Sequence, residues 1–99
     1  MMQIKKTIQN EQATFALSGR LDTTTAPDLE KEVKGCIDGL NTLIFDVKEL
    51  DYISSAGLRV LLSAQKVMNK QGSMIIRNAN EVIMEIFEVT GFSDILTIE

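Results

Sequence analysis

Apolar residues alternate with polar ones near the N-terminus and later recur every three to four positions, and these two rhythms predict the elements. Gln3 to Ile8 reads as a strand with Ile4 and Ile8 on one face. Asn10-Glu11-Gln12 has turn composition. Ala13 to Ser18 then alternates, with Ala13, Phe15 and Leu17 on one side, which makes an antiparallel hairpin ending at Gly19. Asp22 to Thr25 offers several helix caps; Thr25 with Asp28 resembles a capping box, and Pro27 suits a first turn. Leu29, Val33, Cys36, Ile37 and Leu40 share one helical face, which predicts a helix reaching about Gly39. Gly35 and Gly39 weaken that helix by up to ~1 kcal/mol each relative to Ala.

Thr42 to Val47 is nearly all apolar and reads as a strand buried on both faces, followed by a loop from Lys48 to Ser55. The next helix runs to about Gln71. Leu58, Leu61, Leu62 and Met68 form its apolar stripe, widened by Val60, Ala64 and Val67, and Gly72 stops it. Ser73 to Arg77 is the fourth strand. Asn80 caps a third helix with Val82, Ile83, Ile86 and Phe87 facing inward and Gly91 at its end, and Asp94 to Ile98 closes the chain as a last strand. The order ββαβαβαβ predicts one α/β domain over residues 1–99, with a mixed, mostly parallel sheet, right-handed crossovers and helices predominantly on one face.

Composition narrows the chemistry. The chain has 99 residues, 44% hydrophobic and 24% charged, enough for one hydrophobic core. Its net charge of −4, with Lys5-Lys6 as the one local basic pair, argues against nucleic acid as a partner. There is no His, so His-based triads and His-containing zinc sites are excluded. Cys36 stands alone, which excludes an intrachain disulfide. No apolar stretch approaches ~18 residues, so no direct membrane insertion is expected. The start Met1-Met2-Gln3-Ile4-Lys5-Lys6 lacks a signal-peptide run, and a cytoplasmic location is expected. Without a metal-ligand cluster or a Gly-rich phosphate loop, no catalytic residue, metal or cofactor is expected. Asp46 near the end of a strand suggests a receiver-type phosphoacceptor, but the first strand has no carboxylate and Arg77 stands where a late Lys is needed; bonding to nearby backbone suits Asp46 better.

Sites in parallel sheets gather beyond the carboxyl ends of strands, which points to the segment leading into Ser54-Ser55-Ala56-Gly57-Leu58. A serine at a helix start is ordinarily an N-cap, its oxygen accepting from an orphan backbone N–H. It is also a place where a phosphate, carrying about −1.5 to −2 charges, meets free N–H groups and the positive end of the helix. The two roles are compatible, since one serine can cap while the other accepts phosphate. Phosphorylation there leaves the fold intact and changes what the surface binds. Burying an unmatched dianion costs several kcal/mol, and ~3 kcal/mol already weakens an affinity more than 100-fold.

The run Asp51-Tyr52-Ile53-Ser54-Ser55-Ala56-Gly57-Leu58 resembles the signature of the STAS domain, a family named for sulfate transporters and anti-sigma factor antagonists. Gly19-Arg20-Leu21-Asp22 is similar to the family's Gly-x-Leu-Asp at the end of strand two. Leu43 to Val47, Gly72 before an apolar strand, and Gly91-Phe92 before Ile95 fit its later elements. The resemblance covers the whole chain. It implies an anti-sigma factor antagonist that, unphosphorylated, binds an anti-sigma factor serine kinase of the GHKL ATPase type and so frees a sigma factor. It implies that the kinase switches binding off by phosphorylating the serine two positions before the Gly, here Ser55, and that a PP2C-type phosphatase reverses this. The family's usual Asp before that serine is Ser54 here, which removes a carboxylate and makes Ser54 a rival acceptor. The implied partner-binding face comprises Arg20, Asp22, Thr23, Ser54, Ser55, Ala56 and Gly57, although the residues alone favour Asp22 as a helix cap. Gly57 serves either close packing of the helix start or close approach of a partner. The resemblance also admits a constitutive adaptor subunit of an ABC-type lipid transport system. One apolar face per helix predicts a monomer when free.

Overall fold

The computed structural model describes residues 2–99. Alternation in the first twenty residues builds strands β1 (Met2–Gln9) and β2 (Gln12–Leu21), paired antiparallel through a tight turn in which Asn10 takes a φ of 57°. Helix α1 (Ala26–Lys34) leads to β3 (Thr42–Ile53), helix α2 (Ser55–Gln71) to β4 (Ser73–Arg77), and helix α3 (Glu81–Thr90) to a 3-10 turn, Phe92–Asp94. The sheet order is β1-β2-β3-β4, with β2, β3 and β4 parallel. This is the mixed, mostly parallel sheet and the element order that the sequence predicts.

One face of the sheet carries the core. Ala13, Phe15 and Leu17 of β2, Leu43, Phe45 and Val47 of β3, and Met74 and Ile76 of β4 join Leu29 and Val33 of α1, Leu58 and Leu61 of α2, and Ile83 and Phe87 of α3 in one contiguous apolar cluster. Phe15 and Phe45 are register partners and stack with centroids 5.6 Å apart. Ile44, on the opposite face, is buried but lies outside that cluster.

Several boundaries differ from expectation. Helix α1 stops at Gly35 rather than near Gly39, because the chain must turn back for Asn41 N–H to reach Glu11 O, 2.9 Å away, at the start of β3. Ile37 and Leu40 remain buried although they lie beyond the helix. Thr25 and Asp28 form no capping box: Thr25 Oγ1 donates to Arg20 O at 2.8 Å and accepts from Asp22 N at 2.8 Å, so it is engaged with the strand end instead. Lys48 to Ile53 is not a loop but the continuation of β3. Val82 faces outward at 55% exposure, whereas Ile83 and Phe87 carry the helix contact.

The C-terminal strand is reduced to a single bridge between Ile98 and Ile76. Backbone bonds from Asp94, Ile95 and Leu96 are spent locally, on Gly91 O and Phe92 O, so only Thr97 O and Glu99 N–H remain to pair with Ile76. Gly72 ends α2 with an extended φ of 175°, not the left-handed conformation. Its need for glycine is steric, since a Cβ there would collide with the Asn41 carbonyl.

Candidate functional site

The carboxyl ends of β2 and β3 meet where α2 begins. Arg20 pairs with Tyr52 and Leu21 with Ile53 in the sheet, and Ser54 N–H donates to Leu21 O at 2.8 Å. The β2–α1 connection and the start of α2 are thereby held side by side. The residues expected to form the binding face lie at the end of β2, on this connection and at the start of α2.

Ser54 is the N-cap of α2. Its backbone is extended, and its Oγ accepts from Gly57 N–H at 3.3 Å, a long capping bond. Ser55 follows as the first helical residue and is exposed. Of the two serines, one hydroxyl is therefore committed to the backbone while the other faces solvent. Ala56 is half-buried, and Gly57 is buried. A Cβ on Gly57 would come within 2.6 Å of Leu21 Cγ and 3.1 Å of Ile53 Cγ2, so glycine is required there for packing of the helix start on the sheet.

Asp22 organises the adjoining loop. Its Oδ1 accepts from Thr24 N at 3.0 Å, Thr24 Oγ1 at 2.8 Å and Thr25 N at 3.2 Å, so it caps the turn before α1 and not the helix itself. The Thr24 hydroxyl, and then the loop N–H groups, hold the Asp22 carboxyl below the usual carboxylate range. Its Oδ2 faces Arg20 Nε at 3.8 Å, and the Arg20 guanidinium lies over the Tyr52 ring at 4.4 Å from the centroid. Thr23 is exposed and lines an open cavity of about 350 Å³ between α1 and α2, with Glu30, Ala56, Arg59 and Ser63 among its walls. The structure thus groups Arg20 with Asp22, and Thr23 with Ala56.

Tyr52, Glu30 and Arg59 join this surface beyond the residues expected from the sequence. Arg59 had a legible signal, its spacing four residues beyond Ser55 on one helix. Tyr52 has only its place in the family signature, because the spacing around it predicts a loop where β3 continues. Asp46 behaves as its position suggests: its Oδ1 accepts from Lys48 N at 3.1 Å and from Asn78 Nδ2 at 3.2 Å. Among the described residues no cluster of metal-ligating side chains occurs, and no helix is long and apolar enough to cross a membrane.

The model of the STAS domain matches residues 3–99. The chain belongs to the STAS domain family. Among curated relatives, it is 37% identical over 84 residues to a protein of Bordetella bronchiseptica provisionally named anti-sigma factor antagonist BtrV, covering 83% of this chain and 72% of that one. It is 30% identical over 83 residues to the anti-sigma-B factor antagonist of Bacillus subtilis, covering 83% of this chain and 76% of that one. Solved structures share the fold at low identity. An anti-sigma factor antagonist from Mycobacterium paratuberculosis superposes with a TM-score of 0.89 at 18% identity, covering 99% of this chain and 85% of that one. The anti-sigma factor antagonist SpoIIAA in its unphosphorylated form gives 0.83 at 18% identity, covering 100% and 88%. SpoIIAA of Bacillus in its phosphorylated form gives 0.75 at 18% identity, covering 100% and 91%.

Proposed function

We propose that this STAS domain is an anti-sigma factor antagonist, a binding module rather than an enzyme, acting in the cytoplasm and controlled by phosphorylation of Ser55. In the unphosphorylated state the surface around Asp22, Thr23, Ser54 and Ser55 binds an anti-sigma factor serine kinase of the GHKL type, and the sigma factor is released. Phosphate on Ser55 places a dianion in that contact and breaks it. A PP2C-type phosphatase restores binding.

The observation that carries this reading is the division of labour between the two serines. Ser54 Oγ is taken by the Gly57 N–H, and Ser55 stands exposed one residue into α2. Ser54 is thereby the poorer acceptor, although it replaces the family's usual Asp. A switch at Ser55 needs no refolding, because the helix start carries free N–H groups that tolerate negative charge. The relatives named as anti-sigma factor antagonists, and a neighbour solved in a phosphorylated form, support the same reading.

The test is a pair of pull-downs from the native host with wild-type and Ser55→Asp baits, analysed by mass spectrometry. The wild type is expected to capture a GHKL-type kinase and Ser55→Asp to lose it, with melting temperatures alike. A Ser55→Asp bait that holds the kinase as tightly as wild type overturns the switch. Equal capture of ABC-transporter subunits by both baits assigns the chain to the adaptor role instead.

A further inference from the structure

The exposed face of α2 that begins with Ser55 returns to the surface one turn later at Arg59. Residues four apart on a helix have their Cβ atoms about 5–6 Å apart, and an acid N-terminal to a base is the favourable order. Arg59 forms no ion pair within 4 Å among the described residues; the pairs there join Lys6 to Glu32, Arg20 to Asp22 and Lys34 to Glu30. Glu30 of α1 lines the same cavity as Arg59, but it has Lys34 at 3.8 Å on its own helix. The second guanidinium near the site, Arg20, is stacked on Tyr52 and leans on Asp22. Ser54, five residues before Arg59, does not share its helical face, and its oxygen is already engaged.

We propose that Arg59 is the intramolecular partner of the phosphate on Ser55, holding it along α2 at the mouth of the cavity between α1 and α2. This rests on the reading of Ser55 as the phosphorylated residue and specifies how the phosphorylated state is held. A guanidinium offers paired N–H donors that match two phosphate oxygens, which an ammonium does not. Phosphorylation then alters the surface twice: it adds a dianion and takes up the cation that the unphosphorylated surface presents to a partner. Ser55 is a better switch than Ser54 on this account, since only Ser55 has a base at the matching spacing.

The experiment uses full-length protein with phosphoserine installed at position 55 by codon reassignment, so it does not depend on any kinase. The 31P shift is followed against pH at low ionic strength for wild type, Arg59→Ala, Arg59→Gln, Arg59→Lys and, as control, Arg20→Ala. A phosphoserine ordinarily loses its second proton near pH 6. Pairing is expected to lower that midpoint in the wild type by about 0.3 unit relative to Arg59→Ala and Arg59→Gln, with Arg59→Lys between them. The difference is expected to vanish at about 1 M salt. Wild-type, Arg59→Ala and Arg59→Gln curves that coincide overturn the proposal, as does a shift that follows Arg20→Ala instead. Absence of phosphate on Ser55 in the native host refutes the phosphorylation reading and leaves this titration unchanged, so the two failures are distinguishable.

Discussion

Replacing Gly57 by alanine separates its two possible uses. Gly57 is the third residue of α2, and helix propensity alone predicts that alanine stabilises by up to ~1 kcal/mol. The added Cβ, however, sits 2.6 Å from Leu21 Cγ, 3.0 Å from Leu21 Cδ2 and 3.1 Å from Ile53 Cγ2. Leu21 Cγ is a branch point and not a mobile tip. Both side chains are enclosed, Leu21 at 0% and Ile53 at 2% exposure, so neither can swing into solvent. Relief requires α2 to lift from the ends of β2 and β3, and overpacking of this kind costs about 1–3 kcal/mol. The 2.6 Å contact on a rigid branch point puts the cost in the upper part of that range, about 2–3 kcal/mol, so a net loss of about 1–2 kcal/mol remains after the propensity gain. In a domain of 99 residues that lowers Tm by about 5–10 °C. Urea unfolding followed by circular dichroism is the assay, with a lower midpoint and an unchanged slope expected. An alanine variant as stable as wild type, or more stable, refutes the packing argument and leaves partner approach as the reason for glycine.

Three further outcomes follow from the same geometry. Ser54→Ala removes the N-cap and is expected to cost about 0.5–1 kcal/mol, at the modest end because the bond is 3.3 Å long, while phosphate incorporation at Ser55 by the kinase persists; urea titration and phosphopeptide mapping check both. Asn80→Ala loses both the cap to Ile83 N–H and the bond from Asn80 Nδ2 to Leu50 O, and is expected to cost about 1–2 kcal/mol by thermal melting, more than Ser54→Ala. Because the carboxyl of Asp22 is held below its ordinary range in the folded chain, its contribution to stability is present above that range and is lost as pH falls through the lowered native value. Thr24→Ala, which removes the largest cause of the shift, is expected to raise the Asp22 midpoint in a carboxyl-carbon NMR titration; an unmoved midpoint would contradict the assigned cause.

The order of elements, the hairpin, the inward row of the sheet and the serine pair at the start of α2 are legible in the sequence, because each is a local property of spacing or capping. Alternation at Ala13, Phe15 and Leu17 survives folding unchanged. The second half of β3 was not legible for a definite reason. The β2–β3 register shifts between Ala16 and Ser18 and again between Gly19 and Arg20, so the buried positions Val47, Leu50 and Ile53 fall three apart, a rhythm that belongs to neither strand nor loop. The stacking of Arg20 on Tyr52 depends on that strand and has no trace in the spacing. The helical spacing of Ile37 and Leu40 likewise misled, since both are buried by turns after α1 has ended. The contacts of the site residues arise on folding. Gly57 is fixed by Leu21, more than thirty residues earlier in the chain, and Thr25 is engaged by the end of β2 rather than by its own helix. Contacts between segments distant in sequence leave no periodic trace, and the meeting of the β2–α1 loop with the start of α2 is such a contact.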